Sequence, residues 1–143
     1  MSDEFKVVVA AILQKEGKIL LVQEGAEHKY GKWNFPGGCL NAFESFQDGL
    51  KREILEETGF ESKPGKLFQI IRHKSLKNKD ITLFLFHAEI IGGDGQTQDS
   101  EILSWKWATP KEALSASDLL YPHLKECISR LVLTHPPLIL DLF

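Results

Sequence analysis

Three glutamates in one short stretch carry the strongest chemical signal in the chain. Glu53, Glu56 and Glu57 are related as i, i+3 and i+4, the spacings that set side chains side by side on one helix face. Neighbouring like charges destabilise a helix by roughly 0.2–0.5 kcal/mol per pair, so the cluster calls for a counter-charge. Arg52, one turn before Glu56, answers it only in part. A hard divalent cation answers it better, because Mg2+ takes a few carboxylates and completes its shell with water and phosphate oxygens. The stripe falls in the last turn of the helix, where the negative end of the dipole adds to the attraction. An isolated E-x-x-E-E run is more often a solvated acidic face, so its surroundings decide.

Those surroundings are specific. Gly38, Glu44 and the run Arg52-Glu53-Ile54-Leu55-Glu56-Glu57-Thr58-Gly59-Phe60 fit G-x5-E-x7-R-E-U-x-E-E-x-G-U at every position, U being apolar. Seven fixed letters recur by chance in roughly one window in a billion. On this pattern the chain resembles the Nudix hydrolases, and its MutT-like members in particular. Gly31 to Gly38 resembles the strand that enters their motif. Ser100-Glu101-Ile102, Trp105 and Lys111-Glu112-Ala113-Leu114 resemble their closing strand and helix, so the likeness spans most of residues 5–114.

The resemblance implies an α/β fold, the Nudix-type α/β/α sandwich with a mixed β-sheet. It also implies Mg2+-dependent hydrolysis, with Mn2+ as the alternative ion, of a nucleoside diphosphate linked to another moiety. On the matching positions, Glu56 and Glu57 are metal ligands and Glu53 is a ligand or the base that activates water. The Gly37 carbonyl is a further oxygen ligand. Arg52 joins the catalytic set by orienting the glutamates, Glu44 anchors the loop to the helix start, and Gly38 and Gly59 are structural. Glu101 is the expected general base or extra ligand from the closing loop, with Asp99 as its lesser rival. Phe43 stands where many members have glycine, which predicts an altered loop backbone, since a β-carbon disfavours positive φ.

Positioning these groups needs a scaffold, and apolar periodicity supplies one. Phe5–Leu13 and Ile19–Val22 read as a strand hairpin about Gly17. Trp33-Asn34-Phe35 reads as a short strand stopped by Pro36-Gly37-Gly38. Ser45, with Asp48 three residues on, is a capping signature for a helix that carries Phe46, Leu50 and Ile54 on one face and stops at Gly59. Strands follow at Lys66–Ile71, Ile81–Ile91 and Ser104–Ala108; the second is apolar on both faces, as a covered central strand requires. Thr109-Pro110 opens a short helix, and a last helix is predicted over about 119–133.

The 143 residues, 43% of them hydrophobic, suit a single domain over 1–143. Seventeen Lys and Arg against twenty Asp and Glu give a charge of −3, which argues against binding duplex DNA or RNA. No apolar run is long enough for a membrane span, and the acidic start Met1–Glu4 is unlike a signal peptide. Two cysteines, Cys39 and Cys127, form no disulfide framework and suit a cytoplasmic protein.

The expected partner is a small nucleotide. Lys32 and Phe35 are assigned to substrate binding, with Trp33 and Phe35 dividing between a stacking role and the core. Arg72-His73-Lys74 with Lys77 and Lys79 form a basic loop suited to attracting a polyphosphate, and His28, Lys29 and Lys32 form a second basic cluster. His87 reads as a core histidine. The apolar end, His135–Phe143, is expected to pack on its own domain or on a partner, which motivates a homodimer. Alternatives are a nucleotide-sensing module without turnover and an ADP-sugar hydrolase. All four motif carboxylates are kept, which favours turnover over sensing.

Overall fold

A computed structural model describes residues 5–131 and 138–143. Its centre is β1 (Phe5–Lys15), whose alternate side chains enter two separate cores. Val9, Ala11 and Leu13 join Leu20, Val22, Leu50, Ile54 and Ile102 on one face. Ala10 and Ile12 join Ile19, Leu21, Leu85, Leu124 and Ile128 on the other. Both faces are buried, so both need a helical cover. α1 (Phe46–Thr58) covers the first, and α2 (Pro110–Ser115) with α3 (His123–Leu131) covers the second. The result is an α/β/α sandwich.

β2 (Lys18–Glu24) leaves β1 through a tight turn and then diverges to pair with β3 (Trp33–Asn34) and β7 (Ile102–Ala108). The other side of β1 runs parallel to β6 (Asp80–Gly93), from Phe5 opposite Asp80 to Leu13 opposite Ala88. β5 (Phe60–Lys74) pairs antiparallel with β6, so the eight-stranded sheet is mixed. Among the described residues no helix is long and apolar enough to cross a membrane.

Several elements depart from the sequence expectation, each for a local reason. Gly37-Gly38, expected to stop a strand, lie in one: β4 (Gly37–Cys39) pairs antiparallel with Val8–Ala10. A Cβ on Gly37 would strike the Val9 carbonyl and Ala10, so glycine here permits a close strand approach. β5 begins six residues earlier than Lys66 because bulges near Ser62, Pro64 and Leu67 break its alternation. α3 begins only at His123, after Pro122; Leu120 N–H instead donates to the Trp33 carbonyl at 2.8 Å. Residues 132 and 133 of the expected helix lie outside the described residues, as do His135 to Pro137 of the apolar end. The remainder of that end forms β8 (Leu138–Asp141), parallel to β5, so the tail packs on its own sheet.

α1 ends as its sequence requires. Gly59 adopts φ +76°, and its N–H donates to the Leu55 carbonyl at 2.9 Å. A Cβ there would collide with the Gln96 backbone, whereas at Gly17, φ +75°, it would meet open space. Gly59→Ala should therefore destabilise the protein by more than about 1 kcal/mol, and by more than Gly17→Ala does. Chemical denaturation of the two variants checks the order.

Candidate active site

Hydrogen bonds to the backbone fix both ends of α1. Ser45 Oγ accepts from the Asp48 N–H at 3.0 Å and starts the helix. At the other end, Gln98 N–H donates to the Glu56 carbonyl at 2.8 Å and Thr97 Oγ1 donates to the Glu57 carbonyl at 2.7 Å. These bonds satisfy terminal carbonyls that a helix leaves unpaired. They also tie the turn bearing the glutamates to the loop bearing Asp99.

Arg52 is the cation that bonds these glutamates, and it is shared. Its Nε and Nη2 each donate to Glu44 at 2.8 Å, its Nη1 donates to Glu53 Oε1 at 2.7 Å, and Glu56 Oε2 lies 3.5 Å away. Nη2 also donates to the Cys39 carbonyl at 3.1 Å. Glu44 Oε1 accepts the Asn41 N–H at 3.0 Å as well. Arg52 and the Asn41 N–H together hold the Glu44 carboxyl well below the usual 4.5, at about 2. Phe43, between Asn41 and Glu44, adopts φ +65° despite its β-carbon. The loop therefore keeps a left-handed residue without glycine, held there by the Glu44 bonds on either side of it.

Glu57 is 5% exposed, and its Oε1 accepts the Gly37 N–H at 2.8 Å. Burial raises its pKa well above the ordinary value, and the charges of Glu24, Glu53 and Asp99 push the same way. Burial also raises Glu53, opposed by Arg52 and reinforced by Glu56 and Asp99. Gly38 borders the Glu53 carboxylate so closely that a Cβ would lie 2.5 Å from Oε2. Ala11 N–H donates to the Pro36 carbonyl and Leu40 N–H to the Val7 carbonyl. Antiparallel alternation then turns the Gly37 N–H and C=O away from β1, on the edge where Glu57 is bound.

The donor set is all oxygen, densely acidic and partly desolvated, which fits a hard divalent cation. Among the described residues no three acidic, histidine or cysteine side chains converge on one point as they stand. Arg52 holds Glu53, and the Gly37 N–H holds Glu57.

Beside β4 opens a cavity of about 320 Å³, bordered by Gly37, Gly38 and Glu24 at one end and by Leu83, Tyr121 and His123 elsewhere. Its cations are Lys6, Lys29, Lys77 and Lys79. Lys32 is exposed and does not border it. Phe35 borders it but is 2% exposed and part of the core. Trp33 packs against that same core, so the two aromatics share one face, as residues two apart on a strand do. Arg72 is bound to Asp80 at 2.6 Å, which takes it out of the expected basic loop. His87 is half-buried with its ring edge-on to Phe68.

Glu101 is exposed; its carbonyl accepts the Gly25 N–H at 2.6 Å and its N–H donates to Asp99 Oδ1 at 2.8 Å. The charge of Asp99 acts on both Glu53 and Glu57. Sequence reasoning missed Glu24 altogether. It is 5% exposed, accepts from Asn34 Nδ2 at 3.3 Å and pairs with Lys29 Nζ at 3.3 Å. Its one sequence signal is an acid ending an apolar strand.

Comparison with known proteins gives the family and the fold. Residues 4–131 match the family model described as the NUDIX domain. The phosphatase NudJ of Escherichia coli strain K12 is 33% identical over 123 residues, 85% of this chain and 80% of that protein. A NUDIX hydrolase structure from Nitrosomonas europaea superposes with a TM-score of 0.83 at 27% identity, covering 90% of this chain and 89% of the other. An ADP-ribose pyrophosphatase from Streptococcus suis 89-1591 superposes with a TM-score of 0.70 at 25% identity, covering 94% and 98%.

The Glu44 clamp has a pH signature. A carboxyl whose folded pKa is lowered contributes stability that is full above its unfolded value and is lost as pH falls through the folded one. For Glu44 that window runs from 4.5 down to about 2. Glu44→Gln should lower stability at neutral pH and flatten the loss across that window, as thermal melts in a pH series will read.

Proposed function

The chain belongs to the Nudix hydrolase family, whose members act on phosphorus anhydrides, and on that footing we propose that it is a Mg2+-dependent pyrophosphohydrolase. Its substrate is a nucleoside triphosphate or a related nucleotide in which a nucleoside diphosphate is joined to another group. One observation carries the reading: Glu53, Glu56, Glu57 and Asp99 gather at the end of α1 with one arginine for counter-charge, beside a cavity bordered by lysines.

In this reading Glu56, Glu57 and the Gly37 carbonyl would hold the ion, with Mn2+ as a substitute, and when bound it would supply charge neutralisation for the phosphate oxygens and acidify water. Glu53 is a further ligand or takes the proton from that water. Burial, by raising its pKa, makes it a better proton acceptor than an exposed glutamate. Arg52 acts through Glu53 by holding its carboxylate in place. Lys29, Lys77 and Lys79 attract the phosphates, and water attacks phosphorus in line with the leaving oxygen.

The similarity to an ADP-ribose pyrophosphatase supports ADP-sugars as the second substrate class to test. The unpaired cysteines Cys39 and Cys127 support a cytoplasmic setting. Ile139, Leu142 and Phe143, exposed at the β8 edge, support a homodimer.

The deciding experiment is a panel of nucleoside triphosphates, dinucleotides and nucleotide sugars with Mg2+. Glu53→Gln and Glu57→Gln should each lose at least a hundredfold in kcat, about 3 kcal/mol of barrier. Silence of the wild type across the panel, or full activity in both variants, would overturn the assignment. Gly38→Ala should cost about tenfold or more in kcat while its melting temperature stays within a few degrees. The three atoms nearest to its new methyl all belong to the Glu53 carboxylate.

A further inference from the structure

The loop between β6 and β7 is seated on the end of α1 more closely than a plain connection requires. At its start Gly93 has φ +94°, and a Cβ there would strike the Gly59 carbonyl and the Phe60 Cα. A Cβ on Gly59 would in turn strike the Gln96 backbone. Glycine on both sides lets the two backbones touch. The loop is also pinned from behind. Trp105 of β7 donates from Nε1 to the Gly95 carbonyl at 2.8 Å, and its ring meets Phe60 edge-on at 5.1 Å. Gly95 has φ +73°, and a Cβ there would lie 3.1 Å from each of those two rings. Between the two glycines, Asp94 Oδ1 accepts the Gln96 N–H at 3.0 Å and shapes the turn.

What this seated loop gives the site is a pair of donors. The Glu56 and Glu57 carbonyls lie in the last turn, where a helix supplies no partner of its own. Gln98 offers the first a main-chain N–H, as any residue but proline would. Thr97 offers the second a side-chain hydroxyl at 2.7 Å, from 40 residues further along the chain. That bond depends on residue type, and it falls on the most buried acid of the motif. Glu57 is thereby tethered twice, its main chain by Thr97 and its carboxylate by the Gly37 N–H. Two tethers from different parts of the fold fix the direction of a side chain that one would leave free to swing. The hydroxyl also opposes the negative end of the helix dipole, which otherwise adds to the crowding of acids there.

We propose that Thr97 is a positioning residue of the site. Its hydroxyl, backed by Trp105 through Gly95, fixes the last turn of α1 and so aims the Glu57 carboxylate at the cation. The proposal rests on the hydrolase reading above, since it concerns the ion which that reading assigns to Glu57. It adds two residues outside the glutamate motif, neither of which touches substrate or ion.

Mn2+ binding to the full-length protein without substrate, followed by electron paramagnetic resonance, tests it apart from turnover. Thr97→Val keeps the shape of the side chain and removes its donor. It should weaken Mn2+ about tenfold, the usual size of effect for a group that orients a metal ligand. On substrate it should lower kcat by a similar factor with KM nearly unchanged, while the melting temperature stays within a few degrees. Thr97→Ser, which keeps the hydroxyl, should restore both. Trp105→Phe removes the bond to Gly95 and should also weaken Mn2+. Because the two residues act through one loop, the double variant should lose less than the product of the single losses. Unchanged Mn2+ affinity in Thr97→Val, no recovery in Thr97→Ser, or fully multiplicative losses overturn the proposal. So does a wild type that binds no Mn2+, or a Thr97→Val protein that melts far lower, since the role would then be structural. The two readings fail separately. Weakened Mn2+ binding in a protein that hydrolyses nothing removes the hydrolase and keeps Thr97 in its role, whereas turnover with Mn2+ affinity unaltered by Thr97→Val does the reverse.

Discussion

Crowded negative charge at the end of α1 is the constraint that organises this molecule. Glu57 is almost fully buried, Glu53 is half-buried, and Glu24 and Asp99 add their fields. Taking carboxylates out of water is costly unless something compensates. The protein compensates locally with Arg52, which bridges Glu44, Glu53 and Glu56, and with the Gly37 N–H on Glu57. A bound cation would complete that compensation. The strained Phe43 and the close approach of β4 to β1 belong to the same arrangement, since both place backbone polar groups around these acids.

The sheet makes the crowding possible. Because β1 is buried on both faces, one set of its side chains seats α1 while the other floors the cavity under α3. The glycines of β4 lie at the junction, touching Glu53 and Glu57 on one side and opening into the cavity on the other. A net charge of −3 thus conceals two opposed regions, acids at the helix end and lysines around the cavity.

Much of the scaffold was legible because its signals are local. The Ser45 cap, the Leu50 and Ile54 stripe and the Gly59 stop are all expressed within a few residues of one another, and the helix matches them. The same holds for Thr109-Pro110 at α2. The start of β5 is hidden in the sequence because its bulges scramble the two-residue period, and β4 is hidden because glycines carry no period at all. β8 was invisible as a strand because its pairing partner lies some seventy residues earlier, at Gln69–Arg72.

The sequence by itself determined the motif, the capped helix that displays Glu53, Glu56 and Glu57, and the family to which the chain belongs. Those depend on spacing along one element, which a helix converts directly into geometry. Only the tertiary structure decided which other residues join them. It brought in Glu24 and Asp99, set Arg72 aside on Asp80, drew Phe35 into the core and turned His73 from an apparent surface loop toward the cavity. Each of those outcomes depends on burial and on neighbours from distant strands, and no spacing along the chain encodes either.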